Sequence, residues 1–236
     1  LGAIWGSFCA ALVLRWPQGR RLSGRSACDH CGAVLRARDL MPILSHLRLK
    51  GRCRHCDGAI DGFHRRVEWA AIGVGFFSLF VMPGISGWAW AVMGWLLLPL
   101  IWLDARHFWL PDRLTMALAL VGLPLGGLVT GADLTSRWIG ALLGGIVLML
   151  IAYAYRKWRG RDGMGGGDPK LMAAIGVWIG WQALPMLLLF ASGAGLIWAL
   201  SRTQKGDQPL VARPVPFGVF LGVGGYITAA LWPLIA

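Results

Sequence analysis

Long apolar stretches interrupted by short polar ones set the rhythm of this chain. Runs with little or no charge lie at roughly 1–16, 67–82, 88–103, 113–130, 137–155, 169–182, 185–200 and 214–235. Several approach the ~20 residues with which a helix crosses a hydrocarbon core. They lack the period-two alternation of a membrane barrel, and in lipid only helices and closed barrels satisfy their own backbone. The pattern predicts an all-α polytopic membrane protein of about eight transmembrane helices. The sixth stretch is short and Pro185 parts it from the seventh, so these two could also form one broken element.

The only sizeable polar segment, 17–66, divides the chain into a first transmembrane helix at 1–16, a small cysteine-rich loop domain at 17–66 and a membrane region at 67–236. Composition agrees with a membrane assignment. Apolar residues make up 56% and charged ones 14%, against about 25% charged in a soluble domain, and the mean hydropathy is +0.59. Of 23 Lys and Arg residues, 12 lie between Arg15 and Arg66, two are Arg106 and Arg113, five lie in 156–170 and three in 202–213. Only Arg137 falls in the alternate connections. By the positive-inside rule every basic loop is then cytoplasmic and both chain ends face the other side. The net charge of +12 is thus read mostly as a topology signal, and no nucleic-acid partner is expected; a nucleic-acid contact at the first loop is the weaker alternative. No cleavable signal is visible, and the chain opens without Met inside an apolar run, which points to a true N-terminus upstream.

In the first stretch, Gly6-Ser7-Phe8 reads as a site of close helix packing and Cys9 as inert core. The loop domain holds Cys28-Asp29-His30-Cys31 and Cys53-Arg54-His55-Cys56, with 21 residues between the pairs. This spacing fits a structural four-thiolate zinc site made by Cys28, Cys31, Cys53 and Cys56. A cytoplasmic loop disfavours disulfides. Arg52 and Arg54 are expected to offset the charge of the sulfurs, and the metal to supply much of the loop's folding energy. His30, His46, His55 and His64 are read as solvated or supporting residues rather than ligands. Glu68, where the second stretch begins, is expected to pair with Arg65 or Arg66.

Two acids stand apart. Asp168 ends the loop Gly163-Met164-Gly165-Gly166-Gly167 and precedes an apolar run. Glycine admits backbone angles closed to other residues and lets other groups approach closely, so the loop can deliver a carboxylate to a chosen point. A phosphate cradle is the rival reading, opposed by the carboxylate itself and by the absence of a following Gly-Lys-Ser/Thr. Asp104 closes the third stretch, at a helix C-terminus where the macrodipole is unfavourable to it. Asp112 follows Pro111 and is expected to cap the fourth helix. The inferred topology puts Asp104 and Asp168 on one face. An ion pair of either with Arg106 or Lys170 is the bland alternative. Two converging carboxyls share a proton, because like-charge repulsion raises one pKa. The ionised partner can then deprotonate water while the protonated one polarises a carbonyl.

Gly6-Ser7-Phe8 with Arg15 and Pro17, Leu40-Met41-Pro42-Ile43-Leu44-Ser45 followed by Gly51-Arg52-Cys53, Asp104 with Leu110-Pro111-Asp112-Arg113-Leu114-Thr115, Gly165-Gly166-Gly167-Asp168-Pro169-Lys170 and Pro216-Phe217-Gly218 together resemble the prepilin peptidases, the aspartyl type IV leader peptidases of bacterial type IV pilus and type II secretion systems. The resemblance covers almost the whole chain. It implies cleavage of prepilin or pseudopilin leaders after Gly, in the bacterial inner membrane, with the site toward the cytoplasm and lipid around the helices. It makes Asp104 and Asp168 the catalytic pair, with Asp112 assisting, Lys170 supporting Asp168, and Gly165 and Gly167 shaping the loop. It also implies N-methylation of the new N-terminus from S-adenosylmethionine, an activity associated with the cysteine loop. Two departures stand out. Cys9-Ala10-Ala11 replaces the family's common Leu-Asn-Val, and Val219 replaces a Pro after Pro-Phe-Gly. The competing classes are a proton-coupled membrane transporter and a zinc-stabilised membrane adaptor without chemistry.

Overall fold

Every one of the eight apolar stretches coincides with a helix. A computed structural model describes residues 1–20, 24, 26–28, 30–36, 39–43, 45, 48–160, 163–203 and 215–235; Asp29, Leu44 and His46, quoted above, lie outside them. The long helices are α1 (Gly2–Arg15), α2 (Gly62–Val81), α3 (Ile85–His107), α4 (Asp112–Thr130), α5 (Leu134–Arg159), α6 (Asp168–Ile179), α7 (Leu184–Thr203) and α8 (Phe217–Leu231). Among the described residues there is no strand, only the isolated bridges Ala27–Val34 and Arg52–Ala59. Five helices, α3, α4, α5, α7 and α8, are long and apolar enough to cross a membrane. The 14 residues of α1 and 12 of α6 are short of that length, and α2 carries Arg65, Arg66 and Glu68 near its start. Gly180, at φ 77°, stops α6, so α6 and α7 are separate helices.

The chain forms two compact units, Leu1–Phe77 and Ser78–Ala236. In the first, α1 lies close against α2 because two small residues permit it: a Cβ on Gly6 would sit 2.7 Å from the Glu68 Cα, and one on Gly2 2.6 Å from the Ala71 carbonyl oxygen. Cys9 is fully buried and free, as its reading as core implied.

The second unit is built around α6. Nearly all of this short helix is buried, and its neighbours approach on glycine. On α4, a Cβ on Gly122 would meet the Trp178 Nε1 at 2.6 Å and one on Gly126 the Val177 oxygen at 2.8 Å. On α5, a Cβ on Gly140 would lie 2.7 Å from the Gly176 oxygen and one on Gly144 3.0 Å from the Met172 oxygen. On α8, a Cβ on Gly225 would lie 2.8 Å from Ile175 and one on Gly222 2.7 Å from Ile101 of α3. Small residues four apart let helix backbones approach closely where lipid supplies no hydrophobic drive to association. Several polar side chains within this core bond to nearby backbone carbonyls, whereas the buried Thr228 hydroxyl has no partner among the described residues. Trp178 Nε1 donates to the Leu118 carbonyl at 2.9 Å, Thr130 Oγ1 donates to that of Trp178 at 3.1 Å, and Trp90 Nε1 donates to that of Tyr226 at 3.0 Å while the Trp90 and Tyr226 rings stack. The outward face of α5 exposes Leu142, Ile146, Met149 and Leu150, an apolar surface suited to lipid.

Arg137, the exception in the charge pattern, is buried, and its Nη1 donates to the Gly122 and Leu123 carbonyls at 3.0 and 2.9 Å. Its charge is engaged inside the fold.

The glycine contacts set a stability contrast. Gly176→Val should lower stability by about 1–3 kcal/mol or more, because the new side chain would enter the Gly140 backbone. Gly145→Ala, whose Cβ would rest 3.4 Å from Ala173, should be neutral or stabilising by up to ~1 kcal/mol. Unfolding in detergent micelles checks both.

Candidate functional site

Asp104 and Asp168 are both among the few buried charged side chains, 5% and 4% exposed. Asp104 sits in the last turn of α3, but its carboxylate is aimed elsewhere. Oδ2 accepts the Val219 amide at 3.0 Å, in the first turn of α8. The acid that ends one helix therefore lies at the start of another, where unpaired N–H groups and the macrodipole favour negative charge. This removes the objection raised by its position on α3, and an amide holds it where Arg106 or Lys170 was the alternative.

Asp168 opens α6, with Pro169 beside it at a position where a missing N–H costs nothing. Its amide donates to the Gly165 carbonyl at 3.2 Å, closing the loop onto the helix. The charge of Asp104 acts on the Asp168 carboxyl. The two acids are thus near enough to affect each other electrostatically. Leu110 helps to bring them together. A Cβ on Gly167 would meet the Leu110 Cβ at 2.7 Å, and one on Gly218 would meet Leu110 Cδ1 and Asp104 Oδ2, each at 2.9 Å. One side chain therefore fills the space between the loop that carries Asp168 and the helix start that holds Asp104.

Glycine in the loop serves close approach rather than unusual backbone angles. No glycine from 163 to 167 has a positive φ, and Gly167 is at −80°. Gly167 is required by Leu110, whereas a Cβ on Gly165 would make only ordinary contact, 3.5 Å from Asp168 Oδ2. Asp112 does not cap α4, whose N-cap is Pro111 with no side-chain bond. Its Oδ1 instead accepts Lys170 Nζ at 2.7 Å, both side chains being exposed. Gly218, Leu110 and the Val219 amide were not singled out for a role. Their traces in the sequence were the triplet Pro216-Phe217-Gly218, the departure at Val219 and the Leu110 that opens Leu110-Pro111-Asp112.

The first unit holds a second cluster. The Cys28 and Cys53 turns are built alike. Cys28 N donates to Ala33 O and Cys53 N to Gly58 O; Gly32 N returns to Cys28 O and Asp57 N to Cys53 O; Leu35 N reaches Ser26 O and Ile60 N reaches Gly51 O, all at 2.7–3.0 Å. Gly32 and Asp57 occupy equivalent left-handed positions, φ 69° and 54°. The four sulfurs of Cys28, Cys31, Cys53 and Cys56 lie within 4.8 Å of one another, and Cys28 Sγ is 3.9 Å from Cys56 Sγ. Tetrahedral zinc–thiolate geometry calls for about 3.8 Å between sulfurs, so the donor set fits a metal ion. All four cysteines are free thiols. His30 Nε2 bonds the Ala59 carbonyl at 3.1 Å, and His55 contributes its amide to Cys53 Sγ at 3.4 Å. Arg52 and Arg54 pair with Asp57 and Asp39, each at 2.7 Å, where the sulfurs were the expected recipients of their charge. Glu68 accepts the Ile43 amide at 2.9 Å, where Arg65 or Arg66 was expected; Arg66 lies over the Phe63 ring.

The chain matches the model of the type IV leader peptidase family over residues 90–200 and that of the bacterial peptidase A24 N-terminal domain over residues 1–82. It is similar to proteins named prepilin leader peptidase/N-methyltransferase. The Burkholderia pseudomallei (strain K96243) protein is 41% identical over 86% of this chain and 66% of its own length. That of Aeromonas salmonicida is 38% identical over 88% and 71%, and that of Dickeya chrysanthemi 36% identical over 95% and 77%. The chain thus spans about two thirds of the length of the Burkholderia relative. No solved structure matches.

Gly218→Ala should destabilise by about 1–3 kcal/mol, since its methyl group competes with Asp104 and Leu110 for one space. Gly166→Ala, with nothing within 4 Å, should change stability by no more than about 0.5 kcal/mol. Thermal unfolding in detergent separates the two.

Proposed function

This chain belongs to the type IV leader peptidase family, and on that premise we propose that it is a membrane aspartyl endopeptidase that removes the leader of prepilins or pseudopilins. The observation that carries the reading is the pair of buried carboxyls, Asp104 and Asp168, in electrostatic contact with each other. Near neutral pH the pair retains one proton. The ionised carboxylate takes a proton from water, and the resulting hydroxide-like oxygen attacks the scissile carbonyl while the protonated carboxyl donates to its oxygen. Collapse of the tetrahedral intermediate expels the new amine, which receives a proton from the pair. The proton belongs to both acids, and they titrate as a unit. Asp112 and Lys170, paired at 2.7 Å, steady the ends of α4 and α6 beside the site. In this scheme Lys170 reaches Asp168 through the helix it shares, not by a direct bond.

The cut falls after the Gly that ends the leader, at the cytoplasmic face of the bacterial inner membrane. The distribution of basic residues supports that orientation. Engagement of Arg137 by backbone carbonyls supports it further, since the one basic residue outside the pattern is held inside the fold. We infer that α1, α2 and α6 are also membrane-embedded, giving the eight apolar elements of the sequence. The names of the relatives support a second activity, methylation of the new N-terminus with S-adenosylmethionine as donor. The four cysteines are assigned to structural zinc, which would bind Cys28, Cys31, Cys53 and Cys56 and leave no open position for chemistry.

In a cleavage assay with a purified prepilin, read by intact mass, Asp104→Asn and Asp168→Asn should each lose leader removal by at least about a thousandfold, on the order of 4 kcal/mol in the barrier. Wild-type activity should fall as pH rises past the point at which the pair loses its shared proton, because the acid that donates to the carbonyl oxygen is then gone. Elemental analysis should find one zinc per wild-type chain and a clear deficit in Cys53→Ser, the buried ligand of the four.

A further inference from the structure

The end of the second unit that carries the carboxyl pair is crowded with positive charge. Arg106 and Arg113 stand on either side of the turn between α3 and α4, and Arg156, Lys157 and Arg159 close α5. All five are exposed. The described acids of this unit are Asp104, Asp112, Asp133 and Asp168. Asp104 and Asp168 are buried, and Asp133 lies at the opposite end of the bundle, where it caps α5 by accepting the Ser136 amide at 3.3 Å. Asp112 is therefore the one exposed carboxylate at the catalytic end among the described residues.

Its place beside the pair is set from two directions. Asp112 is the first residue of α4, two after Leu110, whose side chain fills the space between Gly167 and Gly218. Lys170, which donates to Asp112 Oδ1 at 2.7 Å, is two residues after Asp168. The ion pair is nevertheless a surface one, with Asp112 67% and Lys170 56% exposed, and such pairs contribute little to stability. Lys170 is the only partner of Asp112 among the described residues. An ionised carboxylate accepts on both oxygens, so Oδ2 remains for a second cation.

The chemistry of the substrate supplies that cation. A leader cut at the cytoplasmic membrane face belongs to a chain anchored by an apolar segment. The short cytoplasmic flank of such a segment carries Lys and Arg, because these residues hold it on that side. A basic leader approaching this end of the enzyme meets like charge from α3, α4 and α5, and gains only at a carboxylate. We propose, on the peptidase reading given above, that Asp112 is a specificity-determining residue whose carboxylate, held beside the catalytic pair by Lys170, takes a Lys or Arg side chain of the leader. The cation lies on the leader and not at the scissile bond, so the contact is the same before and during cleavage. An interaction of that kind shows in KM and leaves kcat alone. Lys170 has a double part, since it positions the carboxylate and also competes for its charge.

That competition separates a recognition role from a purely structural one. Purified full-length protein in detergent is given two prepilins that differ only in the leader, one with its Lys and Arg residues and one with these replaced by Gln. Cleavage is followed by intact mass. Wild-type protein should have a KM at least about tenfold lower for the basic leader, equivalent to 1.4 kcal/mol, with similar kcat for both. Asp112→Asn should erase most of this preference, Asp112→Glu should restore it, and Lys170→Gln should sharpen it by removing the competitor. If the pair only staples α4 to α6, Asp112→Asn and Lys170→Gln lose activity alike on both leaders, and that result overturns the proposal. A preference that survives Asp112→Asn overturns it too. Where Asp112→Asn does not fold, Lys170→Gln decides, and a weakened preference for the basic leader counts against the site. Wild-type protein that cleaves neither prepilin sinks the peptidase reading together with this assignment; cleavage of both with equal KM sinks the assignment alone.

Discussion

The close approach of α4 and α5 to the short helix α6 is the constraint on which the second unit depends. Gly122 and Gly126 from one side, and Gly140 and Gly144 from the other, leave room only for backbone and for the side chains of α6 itself. A helix of 12 residues is about 18 Å long, well below the ~30 Å of a hydrocarbon core. Its position is therefore set by what grips it. The consequence is chemical, because the first residue of α6 is Asp168. Wherever the glycine contacts seat the helix, they seat that carboxylate, and they do so away from solvent.

Burial then sets the electrostatics. Two carboxyls brought together out of water cannot both stay ionised cheaply, and the charge of Asp104 bears on Asp168. Asp104 belongs by sequence to the wrong end of a helix for an acid, and by geometry to the right end of another. The amide of Val219 is available because residue 219 is not proline, which has no N–H to give. Gly218 beside it lets the carboxylate approach. The departure from the family pattern at this position thus supplies a hydrogen bond to one of the two acids.

Helix positions were largely legible in the sequence, because apolar runs of membrane length leave few alternatives. The limits of α3, α4 and α7 fall within four residues of the expected ones. The two acids, the four cysteines and the packing role of Gly6 were legible too, since each depends on local spacing or on rare residue types in an apolar chain. Partnerships between side chains were not. Asp112 has the look of a cap but reaches across 58 residues to Lys170. Glu68 has arginines three and two residues before it and bonds an amide from the loop instead. Arg137 looked like a flaw in the charge pattern until its carbonyl partners on α4 were visible. Such pairings depend on helix rotation and contact between distant segments, and neither quantity is encoded in spacing along the chain.

The duplicated turns around Cys28 and Cys53 have a bearing on how the cysteine segment assembles. Each half is closed by its own three backbone bonds, so each can hold its pair of thiols at working distance without help from the other. An ion arriving at such a site finds two ready-made pincers and has chiefly to clasp them together. Removal of the ion would then unfasten the halves from each other while leaving each hairpin-like claw in shape, an uncoupling rather than a melting of the segment.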